Sequence, residues 1–437
     1  MGSTARRAAA LLLALTLMAG CGGDKSGDGS GGTSAQSSNG PVTLSFWAWA
    51  PNISKVVKLW NDSHPDIQVK VSQPAQGDDL VTKLISANKA GNPPDLAQAE
   101  YQALPALLLS DAVADITKRV EPVKDEFTDA TWKLVTLDEK VYGIPQDTAP
   151  MMLLYRKDLF KRFGLEVPKT WQEFDATAAK LRTADSKRYL TTFSASDPGW
   201  FAGLAQQAGG QWWDIDGKSW KVAIADDATK RVADYWNGLA DDKKILDEPM
   251  YTPQWNKHLN DGTLLAWPTA VWGPAVLEGI APKTKGKWAM APLPQWNEGE
   301  TAVGYWGGSS TAVMKKSKHP AEAAEFATWL NTDAKAVEGL ISISNIYPAA
   351  SDGQTAPALN KPPSFLPDDA GFFARAAEIS KTARGFTWGP NVNVTYQAYK
   401  DAFGKAIRSR QPFSGALDTM QQTTVKDMEK SGFEVSG

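Results

Sequence analysis

Residues 142–174 decide the fold, and they read YGIPQDTAP (142–150), MMLLYRKDLF (151–160) and KRFGLEVPKTWQEF (161–174). The pair Ile144-Pro145 predicts the end of a strand, because proline lacks the N–H that a strand ladder needs. The apolar run 151–154 predicts a buried connecting strand. Thr170 predicts the N-cap of a helix that has Trp171 in its first turn. These signals predict two strands and the helix that begins at Trp171.

Upstream of this stretch, strands and helices are predicted to alternate. The predicted strands are 42–47, 67–71 and 96–99, and the predicted helices are 53–61, 80–90 and 103–109, the first of them capped by Asn52. This alternation is typical of an open, largely parallel α/β sheet. Such sheets bind ligands beyond the carboxyl ends of their strands. In this chain those ends carry Trp47, Trp49, Asp78 and Glu100.

Downstream, mixed helices and short strands continue to the end of the chain. The predicted helices are 157–163, 171–183, 228–239, 320–330, 371–383, 395–409 and 415–430, and the predicted strands are 151–155, 264–267, 288–291 and 311–314. Four short motifs lie in this half: AGG (208–210), DGTLLAW with VWG (261–267 and 271–273), YWGGS with KKSKHPAEAAEF (305–309 and 315–326), and IYPA (346–349).

In content and order, these motifs and the opening stretch resemble the extracellular solute-binding proteins of bacterial ABC importers. That family includes maltose-binding and other oligosaccharide-binding lipoproteins, and the resemblance runs from Pro41 to the end of the chain. It implies an α/β, two-lobe periplasmic-binding-protein-like fold of type II, in which each lobe has a mixed, largely parallel sheet flanked by helices. Lobe 1 is expected at 41–149 and 303–346, and lobe 2 at 150–302 and 347–437, with a ligand cleft between them.

The resemblance also implies a function. A protein of this kind is no enzyme and needs no cofactor. It captures a carbohydrate, here expected to be an oligosaccharide, by hinge closure and delivers it to the membrane permease of the importer. The chain is expected to be a monomer whose partners are the sugar and the permease subunits.

The amino terminus predicts export and anchoring. Arg6 and Arg7 precede an uncharged, leucine-rich run over 8–19, and small residues lead to Cys21. This is the pattern of a secretory signal peptide, and the run is too short for the ~20 residues of a membrane-spanning helix. The ending resembles a lipobox, so residues 1–20 are expected to be removed and Cys21 to be acylated. The alternative is an ordinary signal peptide with an incidental cysteine.

The segment 21–40 is Gly/Ser-rich and predicts a flexible tether. The folded part is therefore expected at the outer face of the cytoplasmic membrane, held there by the lipid alone.

Composition excludes several classes of protein. The formal charge is −3, and no basic block is present, so nucleic acid is not an expected partner. The single cysteine rules out a disulfide within the chain, and the three histidines, His64, His258 and His319, lack the spacing of zinc ligands. The 18 Trp exceed the 15 Phe and 10 Tyr. About half of the tryptophans are expected in the core, and the excess suggests a ligand with flat apolar faces and a polar rim, which fits a sugar or a quaternary ammonium compound.

Aromatic and polar side chains make up the predicted site. Trp272 precedes Gly-Pro, which places it in a loop or helix start near the cleft. Tyr305 and Trp306 precede two glycines, which allow a ligand to approach the backbone closely. For each aromatic residue, the alternative is packing in the core. The predicted binding residues are Trp47, Trp49, Asp78, Glu100, Gln146, Asp147, Trp272, Tyr305, Trp306, Trp388 and Asn391, with no catalytic or metal-binding residue.

Two other functions stay open at this stage. A lipid-anchored glycoside hydrolase would need two carboxylates ~5 to ~9.5 Å apart, and Asp78, Asp79, Glu100 and Asp147 are candidates. Helix capping or hydrogen bonding to hydroxyls is the favoured interpretation of these acids. A receptor for a cationic or peptide ligand would instead use the tryptophans as a cage for positive charge.

Overall fold

A computed structural model describes residues 40–216 and 219–436, without the side chains of Asp78, Ala130 and Asp216. The predicted signal peptide, the acylated Cys21 and all but the last residue of the tether lie outside the described residues. Within the described part of the chain, no helix is both long and apolar enough to cross a membrane.

Strands and helices alternate along most of the described chain. The strands are β1 Val42–Trp47, β2 Ile67–Ser72, β3 Leu96–Glu100, β4 Thr136–Leu137, β5 Lys140–Val141, β6 Ile144–Pro145, β7 Met151–Arg156, β8 Thr192–Phe193, β9 Trp213–Asp216, β10 Ser219–Val222, β11 Leu246–Asp247, β12 Ala266–Ala270, β13 Trp288–Ala291, β14 Ser309–Val313 and β15 Val435–Ser436. The helices of the first half are α1 Ile53–Ser63, α2 Gly77–Ala90, α3 Leu104–Leu109, α4 Thr117–Val120, α5 Asp129–Lys133, α6 Lys157–Phe163, α7 Trp171–Ala184 and α8 Pro198–Ala208. The helices of the second half are α9 Asp227–Asp241, α10 Pro253–Asp261, α11 Gly273–Ile280, α12 Pro320–Thr332, α13 Ala334–Ser342, α14 Phe372–Ser380, α15 Val392–Ser409 and α16 Phe413–Lys430.

Lobe 1 is the part of the molecule built on a five-stranded sheet of order β2-β1-β3-β14-β6. β1 runs parallel to β2 and β3, while β14 is antiparallel to β3 and β6. Helices α1 and α2 connect the parallel strands, and α12 packs against β14. The sheet and helices bury a core in which Phe46 meets Phe326 with ring centroids 5.7 Å apart.

Lobe 2 is the part built on the three-stranded sheet β12-β7-β13 and has a separate hydrophobic core. Both pairs of strands in this sheet are antiparallel. A largely parallel sheet was expected in each lobe, and this expectation is wrong for the central sheet of lobe 2. The reason is that β7 pairs with β12 and β13, two later strands that return in the opposite direction, rather than with a strand that follows a crossover helix. The residue boundaries given above for the two lobes stay a prediction.

Three described segments, which we call the crossings, lie where the two cores meet: 146–150, 304–308 and 345–349. The crossings pair with one another. Asp147 bridges to Pro348, and Pro150 bridges to Tyr305. The amide of Met151 donates to the carbonyl of Gly304 at 2.9 Å, so the hydrogen bonding runs on into β7. The lobes are therefore joined by a small, mutually hydrogen-bonded strip of backbone.

Helix α8 lies directly against the second crossing. A Cβ added to Gly203 would come within 2.7 Å of the carbonyl oxygen of Tyr305, so this contact depends on the missing side chain. A Cβ added to Gly304 would likewise clash with the carbonyl oxygen of Gly203, so the contact depends on both glycines. The helix was not predicted because its residues are buried on all faces, which removes the polar stripe of an amphipathic helix.

The two predicted helix caps have different outcomes. Thr170 caps α7 as predicted: its hydroxyl accepts from the Glu173 amide at 3.1 Å, and the Glu173 side chain accepts from the Thr170 amide. Asn52 makes no capping hydrogen bond to α1, so that prediction is wrong. The backbone of Asn52 is left-handed with φ 55°, a conformation that asparagine tolerates. Its side-chain amide nitrogen instead lies 3.4 Å from the carbonyl oxygen of Ile343.

Candidate functional site

A cleft of about 430 Å³ lies where the ends of elements from both lobes meet the crossings. Its lobe 1 side is formed at the ends of β1 and β3 and the start of α2. Its lobe 2 side is formed at the starts of α8 and α11 and by Tyr251. Residues of all three crossings form the base. The ends of parallel strands and the starts of helices leave backbone groups and side chains free to face a ligand.

Two tryptophans form the aromatic side of the cleft. Trp272 stands at the N-cap position of α11, and Trp306 belongs to the second crossing. Their rings meet edge to face with centroids 4.6 Å apart, and the Trp272 indole N–H donates to the carbonyl oxygen of Trp306 at 2.9 Å. Behind them lies Trp267, whose ring centroid is 5.7 Å from that of Trp272 and 5.9 Å from that of Trp306. The orientation of both lining rings is thereby fixed by the core.

Lobe 1 contributes amides and a carboxylate. The side-chain oxygen of Gln98 accepts from the amides of Trp49 and Ala50 at 3.0 Å each, and its nitrogen donates to the Ser309 hydroxyl at 3.0 Å. Gln98 therefore holds the turn after β1 against the start of β14. At the end of β3, the Glu100 carboxylate accepts from Gln102 at 2.6 Å. These contacts position polar side chains in the same cleft as the indole rings.

Asp147 ties the first crossing to lobe 1. Its carboxylate accepts from the Ser309 amide at 2.9 Å and also accepts from the Ser309 hydroxyl. The Tyr101 hydroxyl donates to the Asp147 carbonyl oxygen at 2.9 Å. Burial raises the pKa of the Asp147 carboxyl to about 6, against the lowering effect of the two hydrogen bonds from Ser309. The Asp147 carboxylate is therefore occupied in holding the crossings together.

Three hydroxyls that line the cleft are buried and have no hydrogen-bond partner among the described residues. They are those of Thr148, Ser344 and Tyr347. Burial, and after it the charge of Tyr305 and Glu378, raises the pKa of Tyr347 to about 12, so this hydroxyl stays protonated and can donate. An unsatisfied buried hydroxyl costs free energy, and a polar ligand would satisfy it.

The structure brings five of the predicted residues together at the cleft: Trp49, Glu100, Asp147, Trp272 and Trp306. The next five are not among the residues that line it. Trp47 packs against the lobe 1 core, and Gln146 is buried in the first crossing. Tyr305 is half-buried, and its amide donates to Gln206 at 2.9 Å.

The other two belong to lobe 2. Trp388 packs on Phe386 with ring centroids 4.7 Å apart, and the amide of Asn391 donates to Thr424 and Asp427 on α16. These contacts hold both side chains away from the cleft. The side chain of Asp78 lies outside the described part of the structure.

Sequence reasoning missed several lining residues. They include Gln98, Ser196, Asp197, Tyr251, Val276, Ser344 and Tyr347. One of them had a readable signal: Asp197 precedes Pro198, and an acid before proline marks a helix start. In the structure the Asp197 carboxylate indeed accepts from the Trp200 amide at 3.1 Å and caps α8.

Known proteins resemble this chain in both sequence and fold. The family model described as bacterial extracellular solute-binding protein matches residues 47–337. The arabinooligosaccharide-binding protein of Bacillus subtilis is 24% identical over 445 residues, which cover 97% of each chain. The lactose-binding protein of Rhizobium radiobacter is 26% identical over 307 residues, covering 66% of this chain and 69% of the relative.

Among solved structures, the galacto-N-biose-/lacto-N-biose I-binding protein of the ABC transporter from Bifidobacterium longum, in complex with lacto-N-biose, is similar with a TM-score of 0.82. The two chains are 28% identical, and the match covers 92% of this chain and 100% of the other. A binding protein from B. animalis subsp. lactis Bl-04, in complex with beta-1,6-galactobiose, has the same TM-score at 26% identity, covering 91% and 100%.

These matches confirm the predicted fold class, an α/β fold of two lobes. The relatives named here are binding proteins rather than enzymes. Because the family model spans well over half of the chain, this protein belongs to the bacterial extracellular solute-binding proteins, as the motifs predicted.

Proposed function

We propose that this chain is the substrate-binding protein of an ABC importer and that it captures an oligosaccharide in the cleft between its lobes. The observation that carries the proposal is the pairing of two surfaces in one cleft. Indole rings line the cleft from Trp49, Trp272 and Trp306, and amide and carboxylate side chains line the same cleft. A sugar ring has apolar faces that stack on indole and a rim of hydroxyls that hydrogen-bond to such groups.

Relatives support this choice of ligand. The names of similar proteins include binding proteins for arabinooligosaccharide and lactose, and similar structures hold lacto-N-biose and beta-1,6-galactobiose. All of these ligands are carbohydrates of at least two units. The cleft volume of about 430 Å³ lies within the range of about 300–1,000 Å³ for small-molecule sites.

The mechanism we propose is capture by hinge closure. A ligand that touches both lobes gains its full set of contacts only when the lobes are closed, so binding shifts the population toward the closed form. The crossings supply the hinge, because they are the backbone that joins the lobes. The closed form would then dock on the permease subunits of the importer.

We assign ligand contact to Trp49, Glu100, Trp272 and Trp306, which line the cleft from both lobes and from a crossing. Asp147 is assigned a positioning role, because its carboxylate is occupied by Ser309. A general acid or base needs a carboxylate within reach of the substrate, and this engagement removes Asp147 from that role.

The setting of the protein is proposed with its function. The family is extracellular, and the segment ending at Cys21 has the pattern of a lipoprotein signal. We propose acylation at Cys21, a tether over 21–40, attachment at the outer face of the cytoplasmic membrane, and a monomer as the working form.

Isothermal calorimetry tests the proposal. Arabinobiose, lactose, β-1,6-galactobiose, lacto-N-biose and maltotriose are titrated into the mature protein, and we expect at least one to bind and to be recovered unchanged. Trp272→Ala should weaken the binding of that sugar at least tenfold, while lowering the melting temperature of the free protein by only a few degrees.

The matched control is Trp220→Ala, which removes a half-buried indole on β10 away from the cleft and should leave affinity unchanged. Failure of every sugar to bind, or release of hydrolysis products from a chromogenic glycoside, would contradict the proposed function. Unchanged affinity in Trp272→Ala would remove Trp272 from the site.

A further inference from the structure

The charges around the cleft have one sign. Carboxylates of Glu100, Asp147 and Asp197 line it, and none of the described residues that line it is lysine, arginine or histidine. Proteins that bind anionic ligands place cationic side chains or helix N-termini at the site. Three helix starts meet the cleft: that of α8 is capped by the Asp197 carboxylate, that of α2 carries Asp79 in its first turn, and that of α11 has neither a side-chain cap nor an acidic residue.

Glu100 and Asp197 act on the same part of the cleft from opposite lobes. Glu100 ends β3 in lobe 1, and Asp197 begins α8 in lobe 2. The charges of both carboxylates act on the hydroxyl of Tyr251. Tyr251 lines the cleft, and 44% of its surface is exposed. Desolvation of its hydroxyl, and after it the negative charges of Asp197 and Glu100, raises the pKa of Tyr251 well above its usual value.

The hydroxyls of Thr148, Ser344 and Tyr347 are a second, independent observation. They are buried, line the same cleft and make no hydrogen bond within the described residues. Uncharged donors and acceptors of this kind are satisfied by ligand hydroxyls. They cannot neutralise a ligand carboxylate or phosphate, whose burial without a cationic partner costs several kcal/mol.

We infer that the cleft selects against sugars that carry an anionic group, such as uronates, and accepts neutral and amine-bearing sugars, with Glu100 and Asp197 setting this selectivity. An anion would enter a closed cleft that already holds negative charge on both walls. An ammonium group would meet two carboxylates instead. The inference rests on the proposed function and narrows its class of substrate.

The test compares ligands of equal shape. The neutral disaccharide that binds most tightly in the calorimetric panel is converted at a primary hydroxyl to the uronate, the uronamide and the primary amine. Uronate and uronamide have nearly the same shape, so steric effects cancel in their ratio, and they differ in charge and in the two N–H donors of the amide. At pH 7.5 we expect the uronate to bind at least tenfold more weakly than the uronamide. The amine should bind at least as tightly as the parent sugar, with an advantage that shrinks as salt is raised.

Two substitutions test whether Glu100 and Asp197 cause the selectivity against anionic sugars. Glu100→Gln and Asp197→Asn keep the shape of each side chain, and asparagine also keeps a helix cap. Each should shrink the ratio of uronamide to uronate affinity at least threefold, and the double variant should shrink it further. The control is Asp79→Asn, which removes an exposed carboxylate of α2 outside the cleft lining and should leave the ratio unchanged.

The outcomes separate the inference from the function on which it rests. A uronate that binds within threefold of its uronamide overturns the inference and leaves sugar binding intact. Equal shrinkage in Asp79→Asn overturns the assignment to Glu100 and Asp197, because selectivity would then come from the charge of the whole molecule. Absence of binding by every neutral sugar contradicts the proposed function itself.

Discussion

The two lobes bury different kinds of core. Among the described residues, nine buried tryptophans belong to the lobe 2 core and two, Trp60 and Trp132, belong to that of lobe 1. Lobe 1 relies on the aliphatic faces of parallel strands and their connecting helices. Lobe 2 instead packs antiparallel strands and helices around a network of indole rings. The tryptophan excess of the sequence is therefore mainly a property of one lobe's interior.

This difference reaches the cleft. In lobe 2 the rings of Trp255, Trp267 and Trp272 form a continuous edge-to-face chain from the core to the ligand surface. In lobe 1 the cleft side is built from polar residues at strand ends, and the nearest core aromatics do not line it apart from Trp49, which is only partly buried. The lobe 2 surface is thus continuous with its core, whereas the lobe 1 surface is not.

The largest expected effect compares one tryptophan from each core. Trp60 and Trp267 are each 1% exposed, and only Trp267 contacts lining residues of the cleft. Replacement of either by alanine should lower the free energy of unfolding by about 3–5 kcal/mol. Trp267→Ala should also weaken sugar binding at least tenfold, because Trp272 and Trp306 lose the ring that orients them. Urea denaturation and calorimetry under folding conditions measure the two effects.

Trp60→Ala serves as the control for this comparison. It removes the stacking on His64 and the contact with Phe326, both far from the cleft lining. Its folded fraction should bind sugar with unchanged affinity. Equal losses of affinity in both variants would mean that the two cores contribute alike to the cleft, and the contrast between the lobes would fail.

Lobe 1 could be predicted closely from the sequence, and lobe 2 less so. The predicted bounds of β1 are those observed, because alternation of apolar and polar residues and a following proline mark both ends. In lobe 2, helices α8, α10 and α11 were not predicted. The first is buried on all faces and so lacks a polar stripe, and the other two have only nine and eight residues, too few for the pattern of a helix to stand out.

The same limit applies to the site. Trp49, Glu100 and Trp272 could be predicted because each stands next to a strand end or a turn-forming residue. Tyr251, Ser344 and Tyr347 could not, since they come to the cleft only through the packing of distant segments. Trp388 and Asn391 have turn-like neighbours too, but a bulky neighbour in one case and a helix in the other hold their side chains elsewhere.

The next effect tests the connection between the lobes. Asp147 has a folded-state pKa of about 6, above the value of about 3.9 expected in an unfolded chain. The folded state thus binds more protons than the unfolded state between these values, and the contribution of Asp147 to stability falls as pH rises from about 4 to about 6. Relative to Asp147→Asn, the wild type should lose about 2 kcal/mol of unfolding free energy between pH 4.5 and 7.5.

Urea denaturation of both proteins across this pH range measures the difference. Ser309→Ala removes the hydroxyl that donates to the Asp147 carboxylate. That hydrogen bond stabilises the charged form of Asp147. The pH range over which stability falls should therefore move to higher pH in this variant. A difference between wild type and Asp147→Asn that stays constant with pH would show that burial in the crossing does not perturb this carboxyl.

The smallest effect compares how a helix begins in each lobe. Thr170 in lobe 2 accepts from the Glu173 amide within a capping box, so Thr170→Ala should lower the free energy of unfolding by about 1 kcal/mol. Asn52 in lobe 1 makes no cap to α1 and has a left-handed backbone, which glycine adopts without strain. Asn52→Gly should therefore change stability by less than about 0.5 kcal/mol. Urea denaturation measures both changes, and Thr170→Ser is the control that keeps the capping hydroxyl. A larger loss of stability in Asn52→Gly than in Thr170→Ala would mean that the start of α1, and not that of α7, is held by its side chain.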